Sequence, residues 1–403
     1  MLRHISIDEL RLGMYIHEFC GSGIDNHLWR SGFLLQSEQD LNRIRAIGIS
    51  RLWINVCKGV DTEIKRCQSG IQSTSAKTEL EFREEIGIAV RLSYRSKAAV
   101  KKMFSDLRMG KIVETAQVVE LVGEISESLI RNPDAFISLA RLKTADEYTY
   151  MHSVAVCALM IALARRLGLS SAMVHQAGVA GLMHDIGKAA IPIAILNKPE
   201  KLCEDESEIM RGHPEAGAHI LSGNPLFTPE VIDVCLHHHE KLDGSGYPHR
   251  LAGDNISLLA KMGAVCDVYD AITSDRPYKK AWDPATAIRK MAEWKGHFDD
   301  KIFHAFVKCV GIYPVGSLVR LKSARIGVVI EQSQNSLLMP KVKVFYCAKS
   351  RREIPHVIVD LYSSPGVDSI LGRETAEVWG FTNTDQLWSG LSEKEGGATR
   401  IAN

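Results

Sequence analysis

Residues 133 to about 310 read as one nearly continuous helical block in which ionisable side chains fall on the apolar stripes. That pairing constrains the fold more than any other feature of the sequence. Apolar residues recurring every 3.6 positions call for helix-on-helix packing. A carboxylate or imidazole inside such packing needs a partner, because an unpaired buried charge is very costly. Five places make that demand: His152 near the start of an apolar helix, His184-Asp185 at the end of another, His213 before Pro214, His238-His239-Glu240, and Asp267 within Ala264–Asp270. A metal cluster meets the demand for all five at once.

Helical phase supports grouping them. Thr228 and Pro229 stand as N-cap and first residue of a helix. On that helix Ile232, Cys235 and Leu236 precede His239 by seven, four and three residues, and Val231 and Val234 precede His238 by seven and four. Both histidines therefore point to the core, while His237 lies above Asp233 and Glu230 on the polar side and reads as a solvated bystander. The helical neighbours of Asp267 are Ala260, Gly263, Ala264 and Ala271, all small, as suits helices that approach closely around a metal. Imidazole and carboxylate ligands suit Fe, Mn or Zn, and no thiolate is placed among them. An adjacent His-Asp pair adds a carboxylate able to bridge two metals at the roughly 3.5–4 Å of two-metal hydrolytic sites.

The 403 residues are enough for two or three domains. Residues 1–75 read as a small α+β module: Phe33–Leu35 a short strand, Ser37 a helix N-cap, Leu41, Ile44 and Ile47 a helical stripe ended by Gly48, and Arg51–Val56 a strand. Gln68–Lys77 is polar and Ser/Thr-rich, a linker by composition. Residues 76–132 read as a helical connector, or a dimer-forming helix pair, ahead of the helical domain at 133–310. Residues 311–403 form a short β-rich tail, with strands expected at Ser317–Leu321, Gly327–Glu331, Lys341–Tyr346 and His356–Leu361. The fold class expected is mainly α, with a small module at each end.

Forty-nine basic residues against 48 acidic ones leave no electrostatic footprint for duplex nucleic acid or an anionic membrane. The longest apolar run, Val154–Ala164, is far shorter than the ~20 residues that span a bilayer, and reads as a buried core helix. The N-terminus lacks a secretory h-region. Nine cysteines without a C-x-x-C pair, several in apolar helices, fit small hydrophobes in a reducing cytoplasm.

Residues 146–310 resemble the HD-GYP family, a branch of the HD phosphohydrolases. Both naming motifs are present: His184-Asp185, in a His-Asp-Ile-Gly-Lys run, and Gly246-Tyr247-Pro248, in an H-H-E-x-x-D-G-x-G-Y-P match over His238–Pro248. Residues 1 to about 60, with Leu10-Arg11-Leu12-Gly13-Met14, resemble a domain of unknown function often found before HD-GYP domains. The resemblance implies an all-helical HD-type metal-binding domain hydrolysing cyclic di-GMP to linear pGpG, or on to GMP, through a metal-bridged hydroxide.

Carried over by position, the implied metal ligands are His152, His184, Asp185, His213, His238, His239 and Asp267, with Asp185 as bridge. Lys188 would steady the scissile phosphate, and Arg276 and Lys279 would contact phosphate or guanine. The cofactors implied are two divalent ions, Fe or Mn. Relatives with a third metal carry Glu four residues before the first His. Here that residue is Tyr148, and Glu147 lies about 100° away round a helix, which favours a dinuclear site with the first cleavage dominating. Gly244, Gly246 and Pro248 read as loop-shaping, Glu240 and Asp243 as loop-fixing, and Asp270 as structural. Two other readings stay open: hydrolysis of another cyclic dinucleotide, or an inactive module that senses cyclic di-GMP or docks a diguanylate cyclase (GGDEF) partner through the Gly-Tyr-Pro loop.

Overall fold

A computed structural model describes residues 2–7, 10–20, 33–46, 51–55, 71–139, 148–198, 200–274, 281–333, 335–363, 366 and 368–389. It divides into two compact units, Met1–Glu79 and Leu80–Asn403.

In the first unit β1 (Leu2–Ser6), β2 (Tyr15–Cys20), β3 (Phe33–Leu34) and β4 (Arg51–Asn55) form an antiparallel sheet of order β1-β4-β2-β3. Ile5 pairs with Leu52 and Ile16 with Ile54. These four side chains, with Leu10, Met14, Leu35 and Ile44 of α1 (Glu38–Ala46), make up the small core. The Leu10–Met14 segment is a turn: Gly13, at φ 89°, takes a left-handed conformation that side chains avoid and donates to the Leu35 carbonyl. Ser37 caps α1 as expected, its hydroxyl accepting from the Gln39 amide. Gly48 lies outside the described residues.

Helix α2 (Ile71–Arg108) begins inside the expected Gln68–Lys77 linker, so Ile71–Lys77 is helix. Ser and Thr cost only tenths of a kcal/mol in a helix, too little to hold a segment in a loop. After α2 come α3 (Thr115–Arg131), α4 (Pro133–Leu139), α5 (Tyr148–Arg166), α6 (Ser171–Met183), a 3₁₀ turn (Ile186–Ala190), α7 (Ile193–Leu196), α8 (Glu204–Arg211), α9 (His213–Ser222), α10 (Pro229–His237), α11 (Leu258–Thr273), α12 (Pro284–Glu293) and α13 (Asp300–Val310). Val154–Ala164 lies within α5 and is buried throughout except at Ala162, as its unbroken apolarity predicts. It packs chiefly on α6, α11 and α13, and α10 packs on α6, α9 and α11. Cys157, Cys235 and Cys266 are free thiols inside this core, and burial raises their pKa.

The C-terminal strands β5 (Leu318–Leu321), β6 (Arg325–Glu331), β7 (Lys341–Cys347), β8 (Arg352–Asp360) and β9 (Ile370–Arg373) build a five-stranded antiparallel sheet, order β8-β7-β6-β5-β9. Val319, Leu321, Val329, Val342 and Val344 fill one face. Leu318, Ile326 and Phe345 fill the other, against Trp379 of α14 (Ala376–Trp379), Phe381, and Leu387 of α15 (Thr384–Ser389). Val328 belongs to the helical core, and the Gln332 amide donates to Asp134 of α4. The sheet is thus packed on the helices, as expected of the tail. No described helix is long and apolar enough to cross a membrane.

Candidate metal centre

The ends of four helices and the middle of a fifth deliver the site. His152 comes from the first turns of α5, His184 and Asp185 from the end of α6, His213 from the start of α9, His238 and His239 from the end of α10, and Asp267 from the middle of α11. All are buried except His239, whose side chain keeps 23% of its exposure. Two close approaches set the spacing. A Cβ on Gly187 would lie 1.9 Å from the His213 carbonyl oxygen and 2.4 Å from the Gly217 amide, so only glycine lets α9 lie against the turn that follows Asp185. Gly263, on the small face of Asp267, faces Val234 and the His238 Cβ, which brings α11 against α10. Thr228 does stand at the N-cap of α10, but its hydroxyl makes no capping bond.

Six of the seven side chains fall into two groups able to hold an ion: His152, His184 and Asp185 in one, His213, His238 and His239 in the other. Asp185 touches both. Its Oδ2 lies 3.4 Å from His184 Nε2 and 3.6 Å from His152 Nε2, and its Oδ1 lies 3.3 Å from His213 Nε2 and 3.8 Å from His238 Nε2. Asp267 repeats the pattern, with Oδ1 2.9 Å from His152 Nε2 and Oδ2 3.7 Å from His239 Nδ1.

Four imidazoles are locked in one tautomer. The Nδ1 of His184 faces the Gly181 carbonyl at 2.8 Å, that of His213 the Met210 carbonyl at 2.7 Å, that of His238 the Cys235 carbonyl at 2.9 Å, and that of His152 Asp270 Oδ2 at 2.7 Å. These oxygens only accept, so each Nδ1 carries the proton and each Nε2 turns a lone pair inward. His152 and His184 then oppose two Nε2 lone pairs at 3.2 Å, and His213 and His238 do the same at 3.4 Å. Asp185 Oδ1, fully buried, has no hydrogen-bond donor. Converging lone pairs and an orphaned carboxylate oxygen repel one another unless a cation lies among them, so the residues present fit a metal.

The electrostatics agree. Burial, with His239, His184 and His213 alongside, holds His238 well below the usual imidazole range, and burial takes His239 down to about 3. Both stay neutral, as a ligand must. Burial opposes ionisation of Asp185, yet its carboxyl lies well below the usual carboxylate range, because the Lys188 ammonium beside it favours the charged form. Lys188, from the 3₁₀ turn, donates to Asp185 Oδ2. Arg276, Lys279 and Glu147 lie outside the described residues, and Tyr148 is described only as the start of α5.

Several partners escape sequence reasoning. Asp270, expected to be structural, orients His152. His237 is not solvated: it is half-buried, with Nδ1 2.6 Å from Asp233 and Nε2 2.9 Å from His249, a contact no local pattern predicts. Glu240, by contrast, reads as loop-fixing in the sequence, and it accepts from the His249 and Leu251 amides in the loop carrying Gly246-Tyr247-Pro248. Tyr247 stacks on His239, ring centroids 4.7 Å apart.

Fold and site together define a helical, metal-dependent HD-type centre. A family model described as an HD domain matches residues 125–302, and one described as a domain of unknown function (DUF3391) matches residues 2–118. The chain is 54% identical over 404 residues to the cyclic di-GMP phosphodiesterase PA4108 of Pseudomonas aeruginosa, covering 98% of each. It is 43% identical over 148 residues to the cyclic di-GMP phosphodiesterase response regulator RpfG of Xanthomonas campestris, 36% of this chain and 39% of that one. Over 142 residues it is 39% identical to the 3'3'-cGAMP-specific phosphodiesterase 2 of Vibrio cholerae, 35% of this chain and 27% of that one. The chain belongs to the HD-GYP branch of the HD-domain family and carries the DUF3391 domain at its N-terminal end.

Proposed function

We propose that the chain is a cyclic di-GMP phosphodiesterase that opens the ring with water to give linear pGpG, with cleavage to GMP as the slower second step. The observation that carries the reading is the 54% identity to a cyclic di-GMP phosphodiesterase over 98% of both chains, supported by two His/Asp groups that could each hold an ion. His152, His184 and Asp185 would hold one ion and His213, His238 and His239 the other, with Asp267 serving both sides. Two divalent ions, Fe or Mn, would supply Lewis acidity and lower the pKa of water.

The chain's own groups do the rest. Asp185 spans the two histidine groups. Lys188, paired with Asp185 at the edge of the centre, supplies the cation for a non-bridging oxygen of the scissile phosphate. Arg276 and Lys279 belong to the proposal as phosphate or guanine contacts. The buried free thiols fit a cytoplasmic location. The Gly246–Pro248 loop is the proposed docking place for a GGDEF partner, and the helices of residues 79–131 the proposed surface of a homodimer.

A second reading, another cyclic dinucleotide as substrate, is favoured by the 39% identity to a 3'3'-cGAMP-specific enzyme. Turnover of the Mn-loaded chain on cyclic di-GMP, 3'3'-cGAMP and cyclic di-AMP separates the readings. Highest kcat/KM on cyclic di-GMP, with pGpG appearing before GMP, is expected. Preference for another ring moves the assignment to that substrate. Binding without turnover on any of them would leave a sensing or docking module.

A further inference from the structure

Arg211 ends α8, two residues before His213, and its side chain is exposed. Its guanidinium carbon lies 5.8 Å from the centroid of the Tyr247 ring, the ring that stacks on His239 at 4.7 Å with 25° between planes. Arg211, Tyr247 and His239 thus form a chain of contacts from the rim of the site to its metal-binding edge. Among the described residues the guanidinium makes no hydrogen bond or ion pair; its partner is the Tyr247 ring. Lys188, by contrast, is committed to Asp185.

A basic residue in the last turn of α8, opposite Glu204, Asp205 and Glu206 in its first turn, is accounted for by the helix dipole alone. The dipole does not account for a guanidinium lying over a ring that itself packs on a candidate metal ligand. A cation held by an aromatic face, with its N–H fork open to solvent, is prepared to receive an anion: the ring restrains the side chain, and the planar fork matches two oxygens of a phosphate.

Resting on the cyclic dinucleotide reading above, we propose that Arg211 binds the phosphodiester of the substrate that is not being cleaved. A cyclic dinucleotide carries two such groups, each with one negative charge. One occupies the His/Asp centre, and the other must meet a cation away from it. Arg211 stands there, joined to the centre through Tyr247. The residue is then a determinant of specificity for substrates with two phosphodiesters over those with one.

The test compares the Mn-loaded wild-type chain with Arg211→Gln and Arg211→Lys on cyclic di-GMP, which has two phosphodiesters, and on bis(p-nitrophenyl) phosphate, which has one. Loss of one charge-assisted contact predicts that Arg211→Gln raises KM for cyclic di-GMP on the order of tenfold, most of the loss lying in KM rather than kcat. The preference for cyclic di-GMP over the aryl diester should fall at least about fivefold, with Arg211→Lys in between. Equal losses on both substrates would mean that Arg211 acts only by supporting Tyr247 and His239, and no loss on either would leave only its dipole role. Both outcomes overturn the inference while the phosphodiesterase reading stands. A wild-type chain that cleaves the aryl diester but neither cleaves nor binds cyclic di-GMP would sink the parent reading, and this inference with it.

Discussion

Replacing Asp270 tests whether the inward-facing imidazoles are held as ligands. Its Oδ2 lies 2.7 Å from His152 Nδ1 and fixes both the tautomer and the angle of that ring. Partners of this kind typically change metal affinity 10–100-fold when removed, about 1.4–2.7 kcal/mol. Asp270→Asn keeps an oxygen able to accept from Nδ1 but removes the charge, so the expected loss is about tenfold. Asp270→Ala removes the acceptor and frees the ring, so the expected loss is nearer a hundredfold. Only the ion of the His152 group should loosen. Equilibrium competition with a chromogenic chelator would therefore turn a two-ion titration into two separated steps, the weaker moving with the substitution. Affinities within about twofold of wild type for both variants would refute the ligand role of His152. A loss as large for Asn as for Ala would show that charge, not ring orientation, is what Asp270 supplies.

Further outcomes follow from the same geometry. Gly187→Ala puts a Cβ 1.9 Å from a backbone carbonyl oxygen that cannot rotate away, so it should cost about 3 kcal/mol and lower the thermal midpoint by several degrees; an unchanged midpoint would refute the close packing. Burial raises the Asp134 carboxyl to about 6. Its folded pKa exceeds the unfolded one, so its contribution is fully present below the unfolded value and is lost as pH rises through about 6, on the order of 2–3 kcal/mol. Urea midpoints of metal-stripped wild type should therefore fall between pH 5 and pH 7.5 more than those of Asp134→Asn, and parallel profiles would contradict the burial argument. Glu240→Ala, which leaves the His249 and Leu251 amides without their acceptor, should raise hydrogen exchange at both amides with little change in α10; unchanged exchange at both would contradict the loop-fixing role.

Much of the centre is legible in the sequence because helical phase is a local property. The positions seven, four and three before His238 and His239, and the small residues around Asp267, need no knowledge of the partner helix. Val154–Ala164 announces a buried helix for the same reason. What escapes is decided between distant segments. Asp270 meets His152 across 118 residues, and His237 meets His249 across a loop whose path Glu240 sets. Tyr247 of the Gly-Tyr-Pro loop meets Arg211 of α8 in a contact between segments distant in sequence. Strand β9 is four residues with a glycine inside, Ile-Leu-Gly-Arg, and is a strand because β5 offers it an edge. Intrinsic preference is too weak to mark it.

The central claim is a dinuclear centre bridged by Asp185 that turns over cyclic di-GMP. It is tested most directly by purifying the chain anaerobically, counting bound metal by elemental analysis, and assaying cyclic di-GMP cleavage in that sample and in Asp185→Ala. Two Fe or Mn per chain, pGpG as the first product, and loss of both metal and activity in the variant are predicted. One ion per chain, or an Asp185→Ala variant that keeps two ions and its turnover, would contradict the account.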